Sequence, residues 1–171
     1  MTYMPYRVTA ENRCPGGYGI VWADEPPLAL RVGELIGMSE QRGQGWGIGV
    51  LHWLRQNTQG SFEAGIELLA AHPKPCGVCL LNNKQVASDY MRGFLIPEMR
   101  SLDQPASMIT PSSGLSVESM VKISLNGQEV TVKLTKQILA TQSVSQFEFA
   151  VLAETTESYN PDDTDTFWAR L

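Results

Sequence analysis

Three cysteines and two histidines carry the most distinctive chemistry in this chain of 171 residues. Cys76-Gly-Val-Cys79 has the spacing of a zinc knuckle or a redox pair, because thiolates are the soft ligands zinc prefers. One such pair supplies half of a tetrahedral site, and the rest would have to come from Cys14, His72 or His52. In an extended strand, residues three apart point to opposite faces, which works against chelation. The pair therefore reads as structural, with metal or redox chemistry as the alternative. His52 lies inside Gly-Val-Leu-His-Trp-Leu and reads as an ordinary strand residue, and His72 reads as a loop residue. Glu63 and Glu67 read as solvated strand charges, and no nucleophile elbow, Walker loop or His-Glu-x-x-His motif occurs. The sequence thus predicts no catalytic residue, no metal site and no enzyme.

Composition narrows the function classes further. Hydrophobic residues make up 43% and charged residues 18%, a mixture that can bury a core and is not that of a disordered chain. Thirteen basic against 18 acidic residues give a net charge of -5, and no basic run is present. Non-specific nucleic-acid binding rests on neutralised phosphates, so a DNA or RNA partner is not expected. No stretch approaches roughly 18 uninterrupted apolar residues, and the first residues lack the basic and apolar regions of a signal peptide. An odd number of cysteines, far below the density of a disulfide scaffold, suits a reducing compartment. The expectation is a cytoplasmic protein without membrane insertion.

The elements available to position a site are strands. Tyr18 to Trp22, Leu30 to Met38, Trp46 to Leu54, Phe62 to Leu69 and Cys76 to Leu81 are short apolar or alternating runs, separated by turn-forming Gly, Pro and Asn. They predict an all-β fold whose first unit, a small β-barrel, spans residues 1–81. A polar break at Asn82 to Gln85 opens a second β-rich unit over 82–153, starting with a strand from Tyr90 to Ile96. Its clearest feature is alternation over Val121 to Leu125 and Val130 to Leu134 around Asn126-Gly127, the dipeptide that most favours a type I′ hairpin turn. Val144 to Leu152 is expected to pair next, while Ser101 to Ser119 reads as strand and loop of undetermined pairing. Residues 154–171 form an acidic tail of low apolar content, ending in Phe167 and Trp168. Like charges favour an extended solvated segment, and the two aromatics are candidate anchors for a protein partner.

The segment Glu11-Asn12-Arg13-Cys14-Pro15-Gly16-Gly17-Tyr18-Gly19 resembles the (Asp/Asn)-x-Ser-x-x-Gly motif of PilZ domains. Asn12 and Gly17 match, and Cys14 stands where the family usually has Ser. Further on, Gly49-Val-Leu-His-Trp53 and Gly65-Ile-Glu-Leu68 look like the closing strands of the same barrel, in the family's order. The resemblance covers residues 5–81.

It implies a small β-barrel that binds cyclic di-GMP and passes the signal to a neighbouring domain or protein. In that setting Asn12 and Cys14 would hydrogen-bond a guanine edge, Cys14 more weakly than Ser would. Gly16 and Gly17 would allow the close approach and unusual torsions of a ligand-facing turn. The Arg-x-x-x-Arg segment that clamps phosphates in ligand-binding relatives is absent ahead of the motif. Either those arginines lie in a preceding segment of a longer protein, or the barrel is a platform that binds protein and not nucleotide. Arg7, Arg13 and Arg55 are the candidate substitutes for the missing positive charge.

Overall fold

The computed structural model describes residues 8–14, 16–22, 30–39, 45–83, 85–98, 104–112 and 114–152, and every regular element among them is a β-strand. No helix among these residues is long and apolar enough to cross a membrane. Arg7, Phe167 and Trp168 lie outside the described residues. The chain divides into two compact units, residues 1–72 and 73–171.

The first unit contains β1 (Thr9–Cys14), β2 (Gly17–Trp22), β3 (Leu35–Met38), β4 (Gly47–Gln56) and β5 (Phe62–Ala70). All pairings are antiparallel, in the order β1-β2-β5-β4-β3. Period-two alternation sends Ile20, Trp22, Leu51, Ala64 and Ile66 to one face, where they are buried together. Tyr18, Leu54 and Phe62 pack against that cluster. The opposite face therefore carries the side chains between them in sequence, among them Glu63, Gly65 and Glu67 on β5.

Gly17 explains how tightly β2 meets β5. A Cβ there would collide with the Ile66 carbonyl oxygen and lie 3.1 Å from its carbon and 3.3 Å from Glu67 Cα, so only glycine fits this backbone approach. At Gly16 a Cβ would meet nothing within 4 Å. Neither glycine has a positive φ. The unusual torsions expected of this pair are absent: Gly17 is required by contact with its own sheet, and Gly16 by no steric constraint. Gly16 contributes its carbonyl, which accepts a hydrogen bond from the Leu68 amide at 2.9 Å.

The second unit contains β6 (Lys74–Asn82), β7 (Gln85–Val86), β8 (Met91–Ile96), β9 (Ser107–Pro111), β10 (Met120–Leu125), β11 (Gln128–Ala140) and β12 (Val144–Val151). Its sheet runs β10-β11-β12-β9-β8-β6-β7, and an additional pairing of β10 with β6 closes six of these strands into a ring. Val78, Leu95, Met108, Val121, Ile123, Val132, Leu134 and Phe147 fill the interior. The Asn126-Gly127 hairpin is as expected: both residues have positive φ, 51° and 82°, and Leu125 pairs with Gln128. β12 pairs with β11, also as expected.

One boundary is corrected. The strand over Cys76 to Leu81, expected in the first barrel, is β6, hydrogen-bonded to β8 and β10 of the second unit. The reason lies in its inward residues. Val78 is fully buried in the second core, with Cys76 and Leu80 packed against it. The prolines at 73 and 75, read as a turn inside the first unit, sit where the two units divide.

Candidate functional site

The Asn12 motif spans a hairpin: Asn12 to Cys14 lie on β1, Gly16 is in the turn and Gly17 opens β2. β1 pairs with β2 through Asn12 opposite Gly19, Arg13 opposite Tyr18 and Cys14 opposite Gly17. Every β1 residue is exposed, as an edge strand allows. Continuing the register across the sheet, Gly19 is opposite Gly65, and Gly65 is opposite Trp53. A row therefore runs Asn12, Gly19, Gly65, Trp53 across four strands, with two glycines at its centre.

Those glycines make a shallow trough. A Cβ on Gly65 would fall inside the Trp53 indole, so the ring lies flat over this bare backbone. A Cβ on Gly19 would stand 3.4 Å from Asn12 Cβ. The concavity between them, about 130 Å³, is lined by Glu11, Asn12, Gly19, Ile20, Trp53, Arg55 and Glu63. Ligand pockets for whole small molecules run to roughly 300–1,000 Å³, so this one fits a single ring system or the edge of a larger ligand.

Two bulges aim its walls. The register of β1 and β2 slips between Ala10 and Asn12, leaving Glu11 as an extra residue, and that of β4 and β5 slips at His52, between Leu51 and Trp53. A bulge lets neighbouring side chains share a side that regular alternation would deny them, and Glu11 and Asn12 accordingly line the same concavity. At the second bulge Leu51 points to the core while Trp53, two residues on, lies on the outer face.

The Trp53 side is held by a relay that starts in the β4–β5 turn. Asn57 Oδ1 accepts hydrogen bonds from the amides of Gln59 and Ser61, each at 3.0 Å, and Gly60 at φ 85° completes the turn. Asn57 Nδ2 donates to Glu63 Oε1 at 3.1 Å. Glu63 Oε2 accepts from Arg55 Nε at 2.8 Å and Nη2 at 2.7 Å. The guanidinium so fixed lies 5.1 Å from the centre of the Trp53 ring, within cation–π range. The Arg55 hydrogen bond, followed by that of Asn57, holds the Glu63 carboxyl below the usual carboxylate range. Glu63 is therefore not the solvated charge expected from sequence.

The other expected site residues are dispersed. Alternation places Arg13 on the side opposite Asn12, with its guanidinium 5.6 Å from the Tyr18 ring centre. Cys14 is exposed and its thiol donates to the Gly17 carbonyl at 3.6 Å, closing the β1–β2 hairpin. Cys14, Gly16 and Gly17 do not line the concavity, whereas Asn12 and Arg55 do. Sequence reasoning missed Glu11, Trp53 and Glu63 as site residues. The signal for Trp53 was present in Gly49-Val-Leu-His-Trp53 followed by Gly65, an aromatic and a glycine on consecutive strands, but their pairing depends on the His52 bulge.

Cys76 and Cys79 lie on opposite faces of β6. Cys76 packs toward the barrel core, where burial pushes its thiol up to about 11, and Cys79 is fully buried on the other face. No group of three or more metal-ligating side chains occurs among the described residues.

Comparison with known proteins agrees with the two-unit division. Residues 1–75 match the family model described as the middle PilZ domain of the cyclic-di-GMP receptor FimW, and residues 76–152 match that of the FimW C-terminal beta-barrel domain. The Cyclic-di-GMP receptor FimW of Pseudomonas aeruginosa is 38% identical to this chain over 147 residues, which are 86% of the chain and 24% of the relative. The chain thus spans about a quarter of the length of the curated relative it matches. No solved structure matches the chain significantly. Residues 1–75 are thus similar to a PilZ domain, and the segment that follows directly is similar to the C-terminal barrel of the FimW type.

Proposed function

We propose that this chain is a non-enzymatic receptor module that binds cyclic di-GMP on the outer face of its first unit and relays the signal to a protein partner. The observation that carries this is the row Asn12, Gly19, Gly65, Trp53: an amide and an indole facing each other across bare glycine backbone. Such a trough suits a flat nucleobase, because the planar guanidinium held over the indole offers a face for stacking and an amide offers both a donor and an acceptor to a base edge. The name and identity of the relative support the ligand.

Charge assigns the parts of the ligand. Within the concavity the Arg55 charge is matched by Glu63, and Glu11 adds a further negative charge. An acidic concavity repels phosphates, so it is a base site. The phosphodiesters therefore fall outside the concavity, and Arg13, on the side of β1 opposite Asn12, is not placed to meet them.

The test is Asn12→Ala in the full chain. Asn12 is exposed on an edge strand, so the variant should keep its circular dichroism spectrum and lose about tenfold in cyclic di-GMP affinity, the worth of one or two hydrogen bonds. Unchanged affinity in the folded variant would remove Asn12 from the site and the proposal with it.

A further inference from the structure

We propose that Glu11 is the residue that selects guanine over adenine at this site, by accepting hydrogen bonds from the paired N1–H and N2–H donors of a base lying against the Arg55–Trp53 stack. This rests on the reading of the concavity as a nucleobase site. Three observations lead to it. Glu11 is the extra residue of the β1 bulge, and it lines the concavity together with Asn12. It is exposed and its carboxylate makes no hydrogen bond or ion pair among the described residues, so its two oxygens are open to a ligand. The other carboxylate of the concavity is already engaged: Glu63 accepts from Arg55 and Asn57, and taking its oxygens for a base would break the relay that holds Arg55 over Trp53.

The chemistry then separates the purines. An ionised carboxylate only accepts hydrogen bonds. The Watson–Crick edge of guanine presents two adjacent donors, N1–H and the N2 amino group, which match the two carboxylate oxygens. Adenine presents an unprotonated N1 at the same place, which faces the carboxylate lone pair to lone pair and leaves only the N6 amino group as a donor. A site whose charged acceptor is satisfied by one base and opposed by the other discriminates far more strongly than shape alone. The Arg55–Trp53 stack contributes a platform that is nearly indifferent to base identity. Affinity and selectivity are therefore placed on different residues.

The experiment titrates cyclic di-GMP and cyclic di-AMP separately into the full chain and into Glu11→Gln and Trp53→Ala, with circular dichroism to confirm folding. The native chain should prefer cyclic di-GMP. Glu11→Gln should lose about 10- to 100-fold for cyclic di-GMP, the range of a bidentate charged pair, and little for cyclic di-AMP, so that the preference collapses. Trp53→Ala should weaken both dinucleotides alike and leave their ratio intact. If the native chain binds cyclic di-GMP and Glu11→Gln keeps both affinity and preference, Glu11 does not read the base, and the receptor reading stands without it. If the native chain does not bind cyclic di-GMP, the receptor reading fails and this assignment fails with it.

Discussion

The two adjacent glycines of the Asn12 motif should respond to the same substitution in opposite ways. At Gly17 an added methyl meets the Ile66 carbonyl oxygen, the Ile66 carbonyl carbon and Glu67 Cα, all of them backbone atoms that no rotamer change can move. Relief requires β2 to separate from β5 where Gly17 pairs with Glu67 and Tyr18 with Ile66. Overpacking of this kind costs about 1–3 kcal/mol, and a clash with backbone belongs at the upper end. For a unit the size of residues 1–72, each kcal/mol lowers Tm by roughly 4–8 °C, so Gly17→Ala should lower the melting temperature of this unit by about 10–20 °C. At Gly16 the methyl meets nothing and φ is ordinary, so Gly16→Ala should be neutral or raise stability by about 0.4–1 kcal/mol through a less flexible unfolded chain. Thermal unfolding followed by tryptophan emission reads both variants, because Trp22, Trp46 and Trp53 report on the first unit. Equal melting temperatures for the two variants, or a stable Gly17→Ala that loses only ligand binding, would refute the structural role assigned to Gly17.

Other perturbations have equally definite expectations. Glu63 titrates lower in the folded protein than its ordinary value of 4.5, first because of the Arg55 hydrogen bond, so its pairing stabilises above that pH and is lost as pH falls through the lowered value. Glu63→Gln should therefore lower Tm at neutral pH and flatten its decline below about pH 4.5 relative to the native chain. Alkylation near neutral pH, followed by mass spectrometry, should label exposed Cys14 quickly, and Cys76 and Cys79 only after unfolding, since Cys79 is fully buried and burial pushes the Cys76 thiol up to about 11. Gly127→Ala forces a Cβ into the left-handed region at φ 82° and should cost about 1–2 kcal/mol, read as a lower Tm of the second unit.

What could be read from the sequence was whatever a local pattern encodes. The hairpin around Asn126-Gly127 was legible because both the turn chemistry and the alternation on each side point to the same register. The strand β1 was not legible. Thr9–Cys14 is exposed throughout, an edge strand held by its pairing with β2 and not by an apolar face, so it offers no hydrophobic periodicity to detect. The domain boundary failed for a related reason. Cys76 to Leu81 looks like any buried strand, and only its pairing with β8 and β10 says which core it serves.

The site divides along the same line. Asn12 was found from its motif and Arg55 from its charge, but their meeting depends on two bulges and a register across four strands. Glu11 and Asn12 would be assigned to opposite faces of a regular strand, and Trp53 would be paired with the wrong residue without the extra His52. Gly65 carries meaning only once it is placed under the indole. The chemistry of this face is thus a property of long-range pairing, which no local window contains.

The most direct measurement is calorimetric titration of cyclic di-GMP into the full chain at modest salt. The account predicts saturable binding, accompanied by a change in tryptophan emission that disappears in Trp53→Phe. A folded chain that gives neither heat nor emission change with cyclic di-GMP would contradict it.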